Sequence, residues 1–268
     1  MEEIKDKITN APIGVMDSGI GGLTVLKQLI DVCPNENYLY FGDTKNLPYG
    51  EKTKDELIKI VKEIYDFFEQ KKVKAVVMAC NTSAAIAYDV LKDNYNFEIY
   101  PIIQVVSKCL TQDKNLNKIA IMATQATVNS HKYETELKKG NPNIEVKEQA
   151  CKLWVPIVEK KLTKYDEKAV FEEYLNPINE FNPQKVILGC THYPYLIDII
   201  AKYAKKELFI NPAKIFANYI KADLTAKNLL STQKDGSIEY FASSNPEQFK
   251  ENAKIFLDIK KEPQLIEI

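Results

Sequence analysis

Two stretches decide the reading: VVMACNTSAA at residues 76–85 and VILGCTHYPY at residues 186–195. Each is an apolar run that stops at a cysteine followed by hydroxyl and amide side chains. The two cysteines, Cys80 and Cys190, stand 190 − 80 = 110 positions apart. The runs are apolar enough to be strands buried on both faces, the hallmark of a parallel sheet. Each cysteine is expected to be the last residue of its strand.

Working outward, short β-rich runs alternate with longer amphipathic stretches. Residues 11–16, 38–43, 74–80 and 98–103 read as strands, with helices over 22–33, 53–71 and 82–91. In the second of these helices Leu57, Ile60, Val61, Ile64, Phe67 and Phe68 fall at helical spacing. A second series follows, with strands at 118–124, 144–150, 184–190 and 207–212. Its helix over 165–181 is expected to break at Pro177. This β-α-β-α order implies a parallel sheet with helices on both sides.

The series repeat. Residues 13–18 align with 119–124 at an offset of 106, residues 47–51 with 155–159 at 108, and Cys80 with Cys190 at 110. Three landmarks in one order at a nearly constant shift indicate two related halves rather than a solenoid. The fold expected is α/β: two pseudo-symmetric three-layer α/β/α domains, mainly parallel, with the active site in the cleft between them. The first domain is residues 1–105 plus 213–268, and the second is 106–212. From 213 one helix is expected to return to the first half, followed by a strand at 237–243 and a last helix. The ten residues before Ala11 read as an extra lead without fixed structure.

Composition narrows the chemistry. A net charge of −1 gives no reason to expect nucleic acid as a partner. All 36 basic residues are lysine, so an anionic ligand must be held without a guanidinium fork. No run reaches the roughly 18–20 apolar residues that span a bilayer, and the acidic N-terminus is unlike a signal peptide. Five widely spaced cysteines then read as free thiols in a reducing cytoplasm. No Cys/His cluster has zinc spacing. DSGIGG, residues 17–22, is neither GxGxxG nor a P-loop, so it supports nucleotide binding only weakly.

Two thiols at matching strand ends suit one kind of reaction. A thiol with a pKa near 8.5 is partly ionised at neutral pH, so one thiolate and one thiol form a base and an acid. Set on opposite faces of one carbon, they would invert a stereocentre. A lone strand-end cysteine is more often core, as Cys33, Cys109 and Cys151 are taken to be. The repeat shifts that balance for Cys80 and Cys190. Ser18, Asn81, Thr82, Thr124 and Thr191 are neutral donors beside them, suited to helix capping and to holding a carboxylate. Asp17 is a candidate to bind a substrate ammonium or polarise Cys80, and also a plain turn residue. His192 is a candidate for the matching task at Cys190, or a satisfied core histidine. Trp154 reads as packing.

At these residues the sequence resembles the glutamate racemases of the cofactor-independent aspartate/glutamate racemase superfamily. The matching segments are IGVMDSGIGGLTVL (13–26), YFGDTKNLPYG (40–50), VVMACNTSAA (76–85), MATQATV (122–128), ACKLWVPIVE (150–159) and VILGCTHYPYL (186–196). The resemblance implies interconversion of L- and D-glutamate, supplying D-glutamate for peptidoglycan, with no cofactor and no metal. It makes Cys80 and Cys190 the acid/base pair and Asp17, Glu159 and His192 their assistants. Cys80 would act as base toward D-glutamate and Cys190 toward the L-enantiomer. The implied substrate contacts are Asp17, Ser18, Tyr49, Gly50, Asn81, Thr82, Thr191 and His192, with Thr124 added. Ala123, Lys152-Leu153 and Asn211 depart from the family pattern, away from the proton-transfer pair. The expected partners are a small-molecule substrate and a second copy in a homodimer, with no membrane. Two alternatives stand: a related racemase acting on aspartate, and a non-catalytic glutamate-binding regulator of the same fold.

Overall fold

The computed structural model describes residues 8–268. These residues form two compact units: one runs through Ile102 and resumes at Ala213–Ile268, the other is Ile103–Pro212. Every strand pairing described is parallel.

In the first unit the strands are β1 (Ile13–Asp17), β2 (Tyr38–Gly42), β3 (Ala75–Met78), β4 (Glu98–Pro101), β9 (Ile238–Ala242) and β10 (Gln264–Leu265), ordered β10-β9-β2-β1-β3-β4. In the second they are β5 (Lys118–Ala123), β6 (Glu145–Ala150), β7 (Lys185–Gly189) and β8 (Phe209–Ile210), ordered β6-β5-β7-β8. The first four strands of each series therefore take the same spatial order, second-first-third-fourth. Register makes the repeat quantitative. Ile13 pairs with Tyr38 and Ala75, and Ile119 pairs with Val146 and Lys185. The offsets are 119 − 13 = 106, 146 − 38 = 108 and 185 − 75 = 110, the same three shifts the sequence landmarks give.

All residues of β1, β2 and β3 are buried, as are Ile119–Ala123 and Val186–Gly189. Both faces of these strands are covered, as their unbroken apolar character requires. The covering helices are specified locally. Helix Lys54–Gln70 begins with a capping box in which the Glu56 N–H donates to the Thr53 hydroxyl and the Thr53 N–H to Glu56. Its face of Leu57, Ile60, Val61, Ile64, Tyr65, Phe67 and Phe68 is buried.

Four expectations are corrected. β3 ends at Met78 and β7 at Gly189, so the cysteines lie just past their strands, where the chain turns. The segment 82–91 is two helices, Asn81–Ile86 and Tyr88–Leu91, meeting at Ala87. Helix Glu167–Phe181 runs through Pro177. Proline removes one internal hydrogen bond, but Val170, Phe171, Tyr174, Leu175 and Ile178 are buried on both sides of it and hold the helix together. It ends instead at Asn182, which takes the left-handed conformation at φ 50°.

The lead before Ala11 is the fourth. Its first seven residues lie outside the described residues, but Thr9 and Asn10 are firmly held. Lys74 Nζ, just before β3, donates to the Thr9 carbonyl at 2.5 Å, to Glu36 Oε2 at 2.5 Å and to the Leu229 carbonyl at 2.8 Å. Glu36 Oε1 accepts from the Ser231 N–H at 2.8 Å. The Lys74 and Glu36 side chains are only 1% and 2% exposed. A buried ion pair adds little net stability when complete, but losing one partner strands the other charge. Lys74→Ala is therefore expected to destabilise the protein by about 3–5 kcal/mol in denaturant unfolding. A loss below about 1 kcal/mol, the range of an exposed pair, would contradict this account.

Candidate active site

With parallel strands buried throughout, polar chemistry collects where they end. In each sheet the first and third strands of the series are neighbours that connect in opposite directions. The crevice beyond their carboxyl ends is where such sheets bind ligands. Asp17 ends β1 and Ser18 follows it, and Cys80, Asn81 and Thr82 follow β3. Thr124 follows β5, and Cys190, Thr191 and His192 follow β7.

In the first unit Asp17 is fully buried, and its Oδ2 accepts from the Gly19 N–H at 3.1 Å. Gly22 of DSGIGG is a matter of room, not of backbone angle. A Cβ on Gly22 would lie 2.5 Å from the Asp17 Cβ and 2.9 Å from the Tyr40 hydroxyl. That hydroxyl donates to the Gly19 carbonyl at 2.8 Å. Cys80 precedes helix Asn81–Ile86, and its carbonyl accepts from the Ala84 N–H and the Ser83 hydroxyl, both at 3.0 Å. Burial and then the Asp17 charge push the Cys80 thiol up to about 11, against hydrogen bonds from Ser83 and Ser18. At neutral pH Cys80 is a protonated thiol. Asn81 and Thr82 are buried beside it.

Tyr49 is buried, and its hydroxyl donates to Asp43 Oδ2 at 2.8 Å, whereas Gly50 is exposed. Asp43, fully buried, also accepts from Ser243 Oγ at 2.6 Å and Asn46 Nδ2 at 3.1 Å. The Tyr49–Gly50 loop is thus fastened to β9 by a carboxylate that the sequence reading passed over. Asp43 directly follows β2, and its place at a strand's carboxyl end was the available signal.

The second unit places a different set of groups at the matching position. Cys190 Sγ lies 3.9 Å from His192 Nδ1, and His192 Nε2 lies 3.0 Å from Glu159 Oε1. Glu159 Oε2 meets Lys161 Nζ at 2.5 Å, and the Thr191 hydroxyl is 3.5 Å from His192 Nδ1. Burial opposes the imidazolium, but hydrogen bonding and charge from Cys190 and Glu159 prevail and raise His192 to about 10. Burial likewise opposes the Glu159 carboxylate, but His192 and Lys161 lower it to about 2. A protonated His192 donates from Nε2 to Glu159 and from Nδ1 toward the Cys190 sulfur.

Glu159 and His192 meet across 33 positions because an aromatic cluster joins their segments. Trp154 packs edge-on against Tyr193 at 4.9 Å and stacks on Phe171 at 5.3 Å, and the Tyr193 hydroxyl donates to the Cys151 carbonyl at 2.9 Å. Trp154 is packing, as expected. Cys151 is buried, and its thiol is pushed up first by burial and then by the Cys190 charge, a neighbour the sequence reading left in the core. Thr124 caps helix Gln125–Asn129, accepting from the Thr127 N–H at 3.4 Å.

The family model described as Asp/Glu/Hydantoin racemase matches residues 13–220. The chain belongs to this racemase family. Among its members, glutamate racemase 2 of Caldanaerobacter subterraneus is 39% identical over 253 residues, 93% of this chain and 94% of that protein. A glutamate racemase of Fusobacterium nucleatum is 38% identical over 91% of this chain and 93% of its own length. Of the solved racemases, the Francisella tularensis glutamate racemase in complex with D-glutamate has a TM-score of 0.88 at 34% identity, covering 96% of this chain and 98% of that one.

The glycine packing and the His192 pair each generate a prediction for this racemase family member. Gly22→Ala should cost about 1–3 kcal/mol by overpacking and displace Asp17. Gly50→Ala, with nothing within 4 Å of the added carbon, should stay within about 0.5 kcal/mol. Thermal unfolding of both variants checks the contrast, and equal losses would refute it. The folded His192 pKa is raised from 6.5 to about 10, so its contribution is whole below about pH 6.5 and lost as pH rises through 10. The folded Glu159 pKa is lowered from 4.5 to about 2, so its contribution is whole above about pH 4.5 and lost as pH falls through 2. The Tm gap between wild type and His192→Asn should be widest between about pH 4.5 and 6.5 and close toward pH 10. A gap that widens with rising pH would show that His192 is held neutral.

Proposed function

We propose that this chain is a glutamate racemase that interconverts L- and D-glutamate, with Cys80 and Cys190 as its two bases. The observation that carries the reading is the equivalence of the two thiols. Each stands just past the third strand of its series, at the same register position of a repeated sheet, yet beside different helpers. A racemase must remove the Cα proton from either enantiomer and return one on the opposite side, and a fixed acid/base group on each face does this without either having to move.

On this reading Cys190, with His192 donating to its sulfur, serves as the base toward L-glutamate while Cys80 delivers its proton. The reverse direction exchanges these roles. Asp17 polarises Cys80, and Glu159 holds the His192 imidazolium in place and favours its charge. Ser18, Tyr49, Gly50, Asn81, Thr82, Thr124, Thr191 and His192 form the substrate contacts. The neutral hydroxyl and amide donors at the strand ends suit a carboxylate in a chain without arginine. Identities of 38–39% to curated glutamate racemases support glutamate over aspartate. The Picrophilus torridus aspartate racemase shares the fold at 15% identity and a TM-score of 0.58.

Among the described residues no helix is long and apolar enough to cross a membrane. The proposed setting is the cytoplasm, where D-glutamate would be supplied for peptidoglycan, and the proposed assembly is a homodimer, which sedimentation measures directly.

In deuterium oxide, L-glutamate should gain one solvent deuteron at Cα as D-glutamate accumulates. Cys80→Ser and Cys190→Ser should each lower racemisation by about 10²–10⁴-fold, the usual contribution of a positioned acid or base. Full activity in either variant would remove that cysteine from the mechanism. Saturable glutamate binding without exchange would identify a regulator, and faster turnover of D-aspartate than of D-glutamate would reassign the substrate.

A further inference from the structure

Away from the strand ends, the second unit brings together His131, Glu134 and Glu148, one ligand atom of each lying within 4.8 Å of the others. His131 opens helix Lys132–Gly140 in the left-handed conformation at φ 50°, Glu134 is in its first turn, and Glu148 is on β6. Glu148 Oε2 is 2.8 Å and Glu134 Oε2 3.9 Å from His131 Nδ1. Zinc-class ions hold nitrogen and oxygen ligands at about 2.0–2.1 Å in a tetrahedron, which separates ligand atoms by about 3.3 Å. The two distances to His131 Nδ1 bracket that value, and the third separation is within 4.8 Å.

Glu148 supplies the independent observation. Its side chain is only 6% exposed, yet Oε1 is buried without a hydrogen-bond partner among the described residues. Burial disfavours the charge of this carboxylate, and although His131 and the Glu134 N–H bond to it, one oxygen keeps no partner among the described residues. An ion bound to it would answer that charge, and the exposed His131 imidazole, 66% exposed, leaves a path for entry. The carboxylate of Glu134 also holds Lys138 through Oε1 at 2.5 Å, an exposed pair that leaves Oε2 available.

We propose that His131, Glu134 and Glu148 form a binding site for a divalent transition-metal ion. The imidazole nitrogen selects zinc-class ions over magnesium and calcium, which prefer all-oxygen sites. Three protein ligands leave a fourth position for water. The bound ion would tie the corner between helices Gln125–Asn129 and Lys132–Gly140 to β6, stabilising the second unit.

Cobalt(II) titration of the full chain tests the site and separates it from the cysteines, because thiolate ligands add an intense sulfur-to-cobalt charge-transfer band. Wild type should show visible d–d bands without that charge transfer, saturating at one equivalent and not displaced by magnesium. His131→Ala and Glu134→Gln, both at solvent-exposed or half-buried positions, and Glu148→Gln should each weaken cobalt binding at least about tenfold. His131→Ala should leave the circular dichroism spectrum and deuterium exchange into glutamate unchanged, so its loss of metal cannot be loss of fold. Equal cobalt affinity in wild type and His131→Ala, or bands carrying only thiolate charge transfer, would overturn the proposal.

Discussion

A parallel strand buried on both faces has no room for polar side chains along its length. That constraint organises this protein. β1 up to Met16, β3 and the interiors of β5 and β7 are apolar, so the reactive groups are confined to the last residue of a strand or those just past it. Which strand ends matter follows from strand order. Where the first and third strands lie side by side, their connections leave in opposite directions, and the crevice between them stays open. Asp17 and Cys80 border that crevice in one sheet, and Thr124 and Cys190 border it in the other.

The two ends of the first sheet serve different purposes. At the amino end of β3, Lys74 and Glu36 close a buried ion pair that gathers the segments around Thr9 and Leu229–Ser231. At the carboxyl end, Asp43 gathers Asn46, Tyr49 and Ser243. Both are buried charges with nearly all hydrogen-bonding positions answered, which is the condition under which a charge can be kept in a core. The C-terminal segment contributes to each, through Leu229 and Ser231 at one end and Ser243 at the other. That explains why residues after 212 group with the first unit rather than starting a third.

Much of this was legible because it is local or periodic. Buried strands declare themselves by unbroken apolar runs, and the repeat survives as the offsets 106, 108 and 110 because sheet register tolerates no slippage when both faces are packed. Asp17, Cys80 and Cys190 stand out for the same reason: a polar residue that ends an apolar run is visible without coordinates. What escaped depends on contacts between distant positions. Asp43 meets Ser243 at a separation of 200, and Cys151 neighbours Cys190 only once Tyr193 and Trp154 have packed. Glu159 entered through family resemblance alone, since nothing in its own surroundings points to His192. Pro177 misled because local propensity was weighed without the burial on either side of it.

The departure from symmetry is as informative as the repeat. Register equates Cys80 with Cys190, but it also equates Asp17 with Ala123 and Thr82 with His192. One thiol therefore sits beside a buried carboxylate and the other beside an imidazole held as a cation. The buried Asp17 carboxylate helps keep Cys80 protonated, whereas the Cys190 sulfur faces the His192 imidazolium at 3.9 Å. In the proposed racemase the two thiols would exchange the roles of acid and base from one turnover to the next. The repeat thus gives the two thiols matching places on their strands, and the neighbours that differ give them unlike surroundings.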